Sequence, residues 1–271
     1  MPDSEPRFEF GANWSRFLEF LNPERIATAE QSLCRMLDMD RLDGLRFLDI
    51  GSGSGLFSLA ARRLGATVHS FDYDAQSVAC ANALRDRYFP NDPAWTVEQG
   101  SALDRAYVEG LGSFDIVYSW GVLHHTGRMW EALDNAARPV APGGLLFIAL
   151  YADQGAKSAF WLRIKRIYVT LPRPLRVPWA VAVAAPFELR LILRDLFAGH
   201  PRHYIESWTK YQEGRSMSRW HDLLDWMGGY PYEVASPRPI EEFYAARGFK
   251  MLKVHPTGGA GCIEYVMRRD G

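Results

Sequence analysis

Hydrophobic and polar positions along the chain switch repeatedly between two periods. "LRFLDI" (45–50) is short and almost wholly apolar, as expected of a strand buried on both faces of a parallel sheet. "LFSLAARRLGA" (56–66) brings the apolar residues back at helical spacing and stops at Gly65. The alternation continues with a strand "TVHSFDYD" (67–74), a helix "AQSVACANALRDRY" (75–88), and strands "WTVEQGS" (95–101) and "FDIVYSW" (114–120). A helix and turn, "EALDNAARPVAPGG" (131–144), lead to a fifth strand, "LLFIALY" (145–151). Ahead of these, residues 23–38 predict a helix capped by Asn22, with Pro23 at its first position and Ile26, Leu33 and Leu37 on one face. Strands alternating with helices predict a doubly wound α/β sheet.

The pattern breaks after Tyr151. Residues 157–203 read as helical, aliphatic and basic, with nine Lys/Arg against two acids. A polar, aromatic stretch follows (207–233), and then a helix (239–249) and two strands (250–256 and 262–269). The expected organisation is an N-terminal helical segment (1–44), an α/β core (45–151), a mostly helical insertion after the fifth strand (152–236), and a C-terminal helix and strand pair (237–271) completing seven strands.

Composition narrows the function classes. Of 271 residues 48% are hydrophobic, enough for a large core, and 31 Lys/Arg nearly cancel 32 Asp/Glu, so no global field draws nucleic acid. Cys34, Cys80 and Cys262 are far apart, which speaks against a zinc ribbon or disulfide framework and fits a reducing cytosol. "MPDSEPRFEF" lacks a signal-peptide pattern, and the longest apolar stretch, "VPWAVAVAAPF" from Val177, is too short for a membrane span and holds two prolines. A soluble, cytoplasmic protein is expected.

Candidate chemistry centres on "FLDIGSGSG" (47–55). A phosphate-binding P-loop needs a lysine where Phe57 stands, and the dinucleotide fingerprint needs a glycine where Leu56 stands. What remains is Asp49-x-Gly51-x-Gly53-x-Gly55, a loop that permits close backbone approach behind an acid suited to an amino group. Asp72 ends the second strand about twenty residues on, where an acid can take the hydroxyls of a ribose, and Tyr73 beside it can lie against an adenine. The set points to a nucleoside without a pyrophosphate.

In order and spacing, "FLDIGSGSG", "SFDYD", "FDIVYSWGVLHHT" and "VAPGGLLFIALY" resemble the successive motifs of class I S-adenosylmethionine-dependent methyltransferases, across residues 45–151. The resemblance implies a Rossmann-like sheet and S-adenosylmethionine as cofactor. It implies that Asp49 and the backbone of Gly51, Ser52, Gly53 and Gly55 hold the methionine part, Asp72 the ribose and Tyr73 the adenine face. Ser101 and Ala102 would meet the adenine edge, although many relatives carry an acid where Ser101 stands. Trp120 and Gly121 would pass the sulfonium. "FGANWSRFLEFLNPERIATAE" (from Phe10) and "SRWHDLLDWMGGYPYE" (from Ser218) further resemble quinone-biosynthesis and natural-product methylases, implying a lid and a small aromatic or lipophilic acceptor, with O-methylation favoured.

A phenol or alcohol acceptor needs a proton acceptor. The candidates are His124, His125, Tyr151, His221 and Asp225, the last two spaced to share one helix face. No C-x-x-C or H-x-x-x-H spacing supports a metal, and none is expected. "LRIKRIYVTLPRPLR" (from Leu162) reads as a solvated face over a lid, or as a transient contact with anionic lipid. Three alternatives stay open: a non-methylating binder of the same cofactor, a methylase of RNA or protein, and a nicotinamide oxidoreductase, against which Leu56 speaks.

Overall fold

Asn22 opens the first helix, α1 (Pro23–Leu37): its side-chain oxygen accepts the Arg25 N–H at 2.9 Å, and Pro23 occupies the first turn. The structure is a computed structural model and describes residues 21–200, 202–209, 219–256 and 261–271. Residues 1–20 of the expected N-terminal segment (1–44) lie outside these residues. Those described divide into a sheet unit (21–155 and 233–271) and a helical unit (156–232).

In the sheet unit, β1 (Arg46–Ile50), α2 (Leu56–Arg63), β2 (Thr67–Asp72), α3 (Ala75–Tyr88) and β3 (Trp95–Gln99) form one half. The other contains α4 (Arg105–Gly110), β4 (Phe114–Trp120), a 3-10 turn (Leu123–His125), α5 (Met129–Ala137) and β5 (Val140–Tyr151). In the numbering used here, α10 (Pro237–Ala245), β6 (Phe249–Pro256) and β7 (Cys262–Arg269) close the unit. The seven strands lie in the order β3-β2-β1-β4-β5-β7-β6, all parallel except β7, which pairs antiparallel with β5 and β6. The expected doubly wound, seven-stranded, Rossmann-like sheet is therefore observed. Its strand order reverses between β1 and β4, and the crevice beyond their carboxyl ends is where such sheets take ligands.

Alternation along the strands feeds two cores. Leu48, Ile50, Val117, Ile148 and Leu150 join Leu133 of α5 and Ile240 and Tyr244 of α10 on one face. Phe47, Tyr118 and Phe147 join Ile26 and Leu33 of α1 and Leu59 of α2 on the other. Two details differ from the sequence expectation. β5 begins at Val140 rather than Leu145, because "APGG" is absorbed as an irregularity where pairing with β4 shifts register between Phe114 and Ile116. The short helix α4 was not expected; six residues capped by the Asp104 side chain are too few to show a period.

The helical unit contains α6 (Ala156–Thr170), α7 (Arg173–Phe197), α8 (Arg202–Thr209) and α9 (Arg219–Gly228). α7 runs unbroken through Pro178 and Pro186, yet no helix among the described residues is long and apolar enough to cross a membrane. Ala180 and Ala184 give α7 a small-residue stripe that packs with Tyr168, Val169, Met227 and Tyr230. The basic segment is not uniformly solvated: Arg163 and Arg166 are exposed, but Lys165 is buried, its ammonium donating to the Trp226 carbonyl and lying over the Trp226 and Tyr232 rings. Burial pulls its pKa down to about 7.

Ile148 is fully buried in the central sheet and Val181 is exposed on α7. Ile148→Ala is expected to destabilise the protein by about 2–5 kcal/mol in urea unfolding, and Val181→Ala to stay within about 0.5 kcal/mol.

Candidate functional site

β1 delivers Asp49, buried, to the sheet's carboxyl edge, and the chain must then turn sharply into α2. Gly51 makes this turn at φ 75°, its N–H donating to the Phe71 carbonyl of β2 at 2.8 Å. A Cβ on Gly51 would lie 2.4 Å from Val122, so both conformation and space demand glycine. Gly55, at φ 80°, sits under α3, where a Cβ would approach the Ala81 backbone to 3.0 Å. The glycines thus serve the protein's own packing as well as any ligand.

Asp72 closes this arrangement from β2. Its two carboxylate oxygens accept the Gly53 N–H and the Asp74 N–H, each at 2.9 Å. Burial raises its pKa, and these two backbone donors oppose the rise. Asp49 is pushed up to about 7, first by burial and further by the charge of Asp72, against a 2.5 Å hydrogen bond donated by Ser58 of α2. Two carboxylates beside an open loop make a site that welcomes a cation. The Ser52 hydroxyl is buried in the same loop without a hydrogen-bond partner in the protein, a polar atom left for a ligand.

The other expected residues fall along the same edge. Tyr73 projects into solvent, 53% exposed, beside Asp72. Ser101 accepts the Leu103 N–H on its side chain and holds a turn after β3, while the Ala102 carbonyl accepts from Asn135. Trp120, 41% exposed, ends β4, and Gly121 follows at φ 75° with its N–H on the Ala149 carbonyl. The rings of His124, His125 and Tyr151 cluster, His124 lying 4.4 Å from His125 and 4.1 Å from Tyr151 between centroids. His124 is fully buried, whereas His125 and Tyr151 are partly exposed. His221 and Asp225 lie four residues apart on α9 of the helical unit, as their spacing anticipates, and their side chains lie outside the described residues. Among the described residues no cluster of His, Cys, Asp and Glu could hold a metal.

Two residues were missed. Glu264 of β7 is buried and accepts the Trp120 indole N–H at 2.8 Å, fixing that ring from across β5. The readable signal was a lone acid in the apolar strand "CIEYVM". Glu233 accepts the Met129 N–H at the start of α5 and donates its own N–H to the His124 carbonyl, setting the histidine turn.

The chain has relatives both in sequence and in fold. Residues 48–146 match the family described as "Methyltransferase domain". The ubiquinone biosynthesis O-methyltransferase of Brucella melitensis is 30% identical over 139 residues, 49% of this chain and 54% of that protein. Its counterpart in Caulobacter sp. is 30% identical over 156 residues, 54% of this chain and 56% of that one. The chain thus spans about half the length of the curated relatives it matches. In fold it is similar to magnesium protoporphyrin IX methyltransferase from Synechocystis PCC 6803, solved with bound SAH, at a TM-score of 0.55, 14% identity, and 96% and 95% coverage. Residues 48–146 are thus similar to a methyltransferase domain, and the fold is that of the solved methyltransferase.

Gly51→Ala is expected to weaken ligand binding at this loop at least tenfold, read by calorimetry, since Val122 or the turn must move. A second expectation concerns pH. With a folded pKa near 7 against an ordinary 3.8, Asp49 keeps in the folded state a proton that the unfolded chain has lost. Its contribution to stability is therefore full below 3.8 and is lost as pH rises to about 7. Asp49→Asn removes that dependence, so wild-type unfolding free energy in urea, taken relative to the variant, falls across this window and levels above it.

Proposed function

We propose that the chain is an S-adenosylmethionine-dependent methyltransferase acting on a small aromatic or lipophilic acceptor, with oxygen as the receiving atom. The observation that carries this reading is the Gly51–Gly55 loop, tied down by Asp72, backed by buried Asp49 and holding the unpartnered Ser52 hydroxyl. These residues fit the group: two acids suit its ammonium and ribose, and the glycine turn leaves no side chain in the way. When bound, S-adenosylmethionine supplies an electrophilic methyl group on a sulfonium.

In this reading Asp49 and the loop backbone hold the methionine part, Asp72 offers its remaining lone pairs to the ribose, and Tyr73 covers the adenine. Trp120, fixed by Glu264, screens the sulfonium side from water, which leaves the acceptor as the nucleophile within reach. Orientation of the acceptor for in-line attack supplies much of the rate. His125, partly exposed at the turn after β4, is the proposed group to take the hydroxyl proton, with Tyr151 beside it at the end of β5 to orient the acceptor oxygen. His124 supports them by packing. That the relatives are O-methyltransferases supports oxygen as the acceptor atom.

The helical unit supports a lipophilic substrate. Leu189, Leu196 and Phe197 are exposed on α7, Phe197 at 86%, beside exposed Arg190 and Arg194. That face suits a transient contact with an anionic lipid surface from which an acceptor would be drawn.

Purified protein incubated with S-adenosylmethionine labelled on its methyl group and a host-cell extract is expected to place label in the organic phase. Asp72→Ala should lower that transfer at least a hundredfold and His124→Ala at most tenfold. Label in precipitated RNA or protein would replace the acceptor class. Binding without label in any fraction would favour a non-methylating role.

A further inference from the structure

Behind the proposed site, four side chains from four elements are joined in one line. The Trp95 indole N–H of β3 donates to the Ser70 hydroxyl of β2 at 2.9 Å; Ser70 donates to Ser58 of α2 at 2.7 Å; Ser58 donates to the Asp49 carboxylate of β1 at 2.5 Å. All four residues are at most 2% exposed. An indole N–H can only donate, an ionised carboxylate can only accept, and each hydroxyl between them has one proton to give. The chain therefore has a single direction. Every proton points toward Asp49, and each bond polarises the next.

We propose that Trp95, Ser70 and Ser58 are positioning residues that aim the Asp49 carboxylate at the edge of the glycine loop and hold it ready to receive the ammonium of a methionine-like ligand. The inference rests on the reading of this site as the cofactor site. The need for such a chain is electrostatic. Burial and the neighbouring Asp72 of β2 both oppose the Asp49 anion, and Ser58 opposes them from α2. The charges of Asp49 and of Glu264 of β7 both act on Tyr118 of β4, whose hydroxyl is buried and unpartnered in the protein. A lone serine hydroxyl would be free to rotate away. One whose oxygen already accepts from Ser70, which accepts in turn from Trp95, has its proton committed to Asp49.

The test is the pH dependence of S-adenosylhomocysteine binding, measured by calorimetry between pH 6 and 8.5 on the full chain. Ser58→Ala is expected to move the alkaline-going rise in affinity up by about one pH unit, giving binding about tenfold weaker below pH 7, with the gap narrowing towards alkaline pH. Trp95→Phe keeps the ring and loses only the donor; it should shift in the same direction by about two- to threefold. A loss that is the same at every pH would mean a packing role and overturn the proposal, as would no shift. Carbon-13 NMR of labelled aspartate carboxyls, with Asp49→Asn for assignment, reads the Asp49 titration without any ligand. If the wild type binds no S-adenosylhomocysteine, the cofactor reading fails, while an unmoved Asp49 titration in Trp95→Phe would sink the chain itself.

Discussion

Everything proposed for this protein depends on the Asp72 carboxylate reaching across from β2 to the Gly53 amide. The loop after β1 has three glycines and little side-chain packing of its own, and a free loop of that composition would sample many conformations. Asp72 removes that freedom with one charged hydrogen bond, and the Phe71 carbonyl accepts from Gly51 and Ser52 beside it. β2 thus sets both the loop's position and the acid beside it. Because β1 and β2 are paired in parallel from Arg46 with Thr67 to Ile50 with Phe71, the position of Asp72 is in turn a consequence of sheet register.

The same arrangement concentrates negative charge where water is scarce. Asp49 and Asp72 each have a raised pKa, with burial the largest cause in both. Such a pair is costly without a ligand and favourable with a cationic one. An anionic pyrophosphate at this loop would meet Asp49, whereas an ammonium would relieve it; Asp72 suits the ribose of either kind of nucleoside. Here electrostatics discriminates between nucleoside ligands more sharply than the glycine spacing does.

Much of the sheet unit was legible in the sequence because its strands are apolar runs bounded by glycines and caps. The helix ahead of β1 was marked by Asn22 and Pro23, and β4 and β7 match their expected bounds because Phe114–Trp120 and Cys262–Arg269 are each buried along most of their length. What escaped depends on contacts between residues distant in sequence. The start of β5 was hidden by "APGG", residues that ordinarily mark a turn. Glu264 bonds a tryptophan 144 residues away, and Ser58, Ser70 and Trp95 acquire meaning only when three strands and a helix converge. Lys165 looked like one more solvated base until Trp226 and Tyr232 enclosed it. Local composition announces elements and loops; it does not announce which polar side chain will be buried against which partner.

The central claim is that the Asp49–Asp72 loop receives a cationic, pyrophosphate-free nucleoside. Calorimetric titration of the purified protein with S-adenosylmethionine and, separately, with NAD tests it most directly. The account predicts saturable one-site binding of S-adenosylmethionine and no heat of binding for NAD. Binding of NAD, or of neither ligand by folded protein, would contradict it.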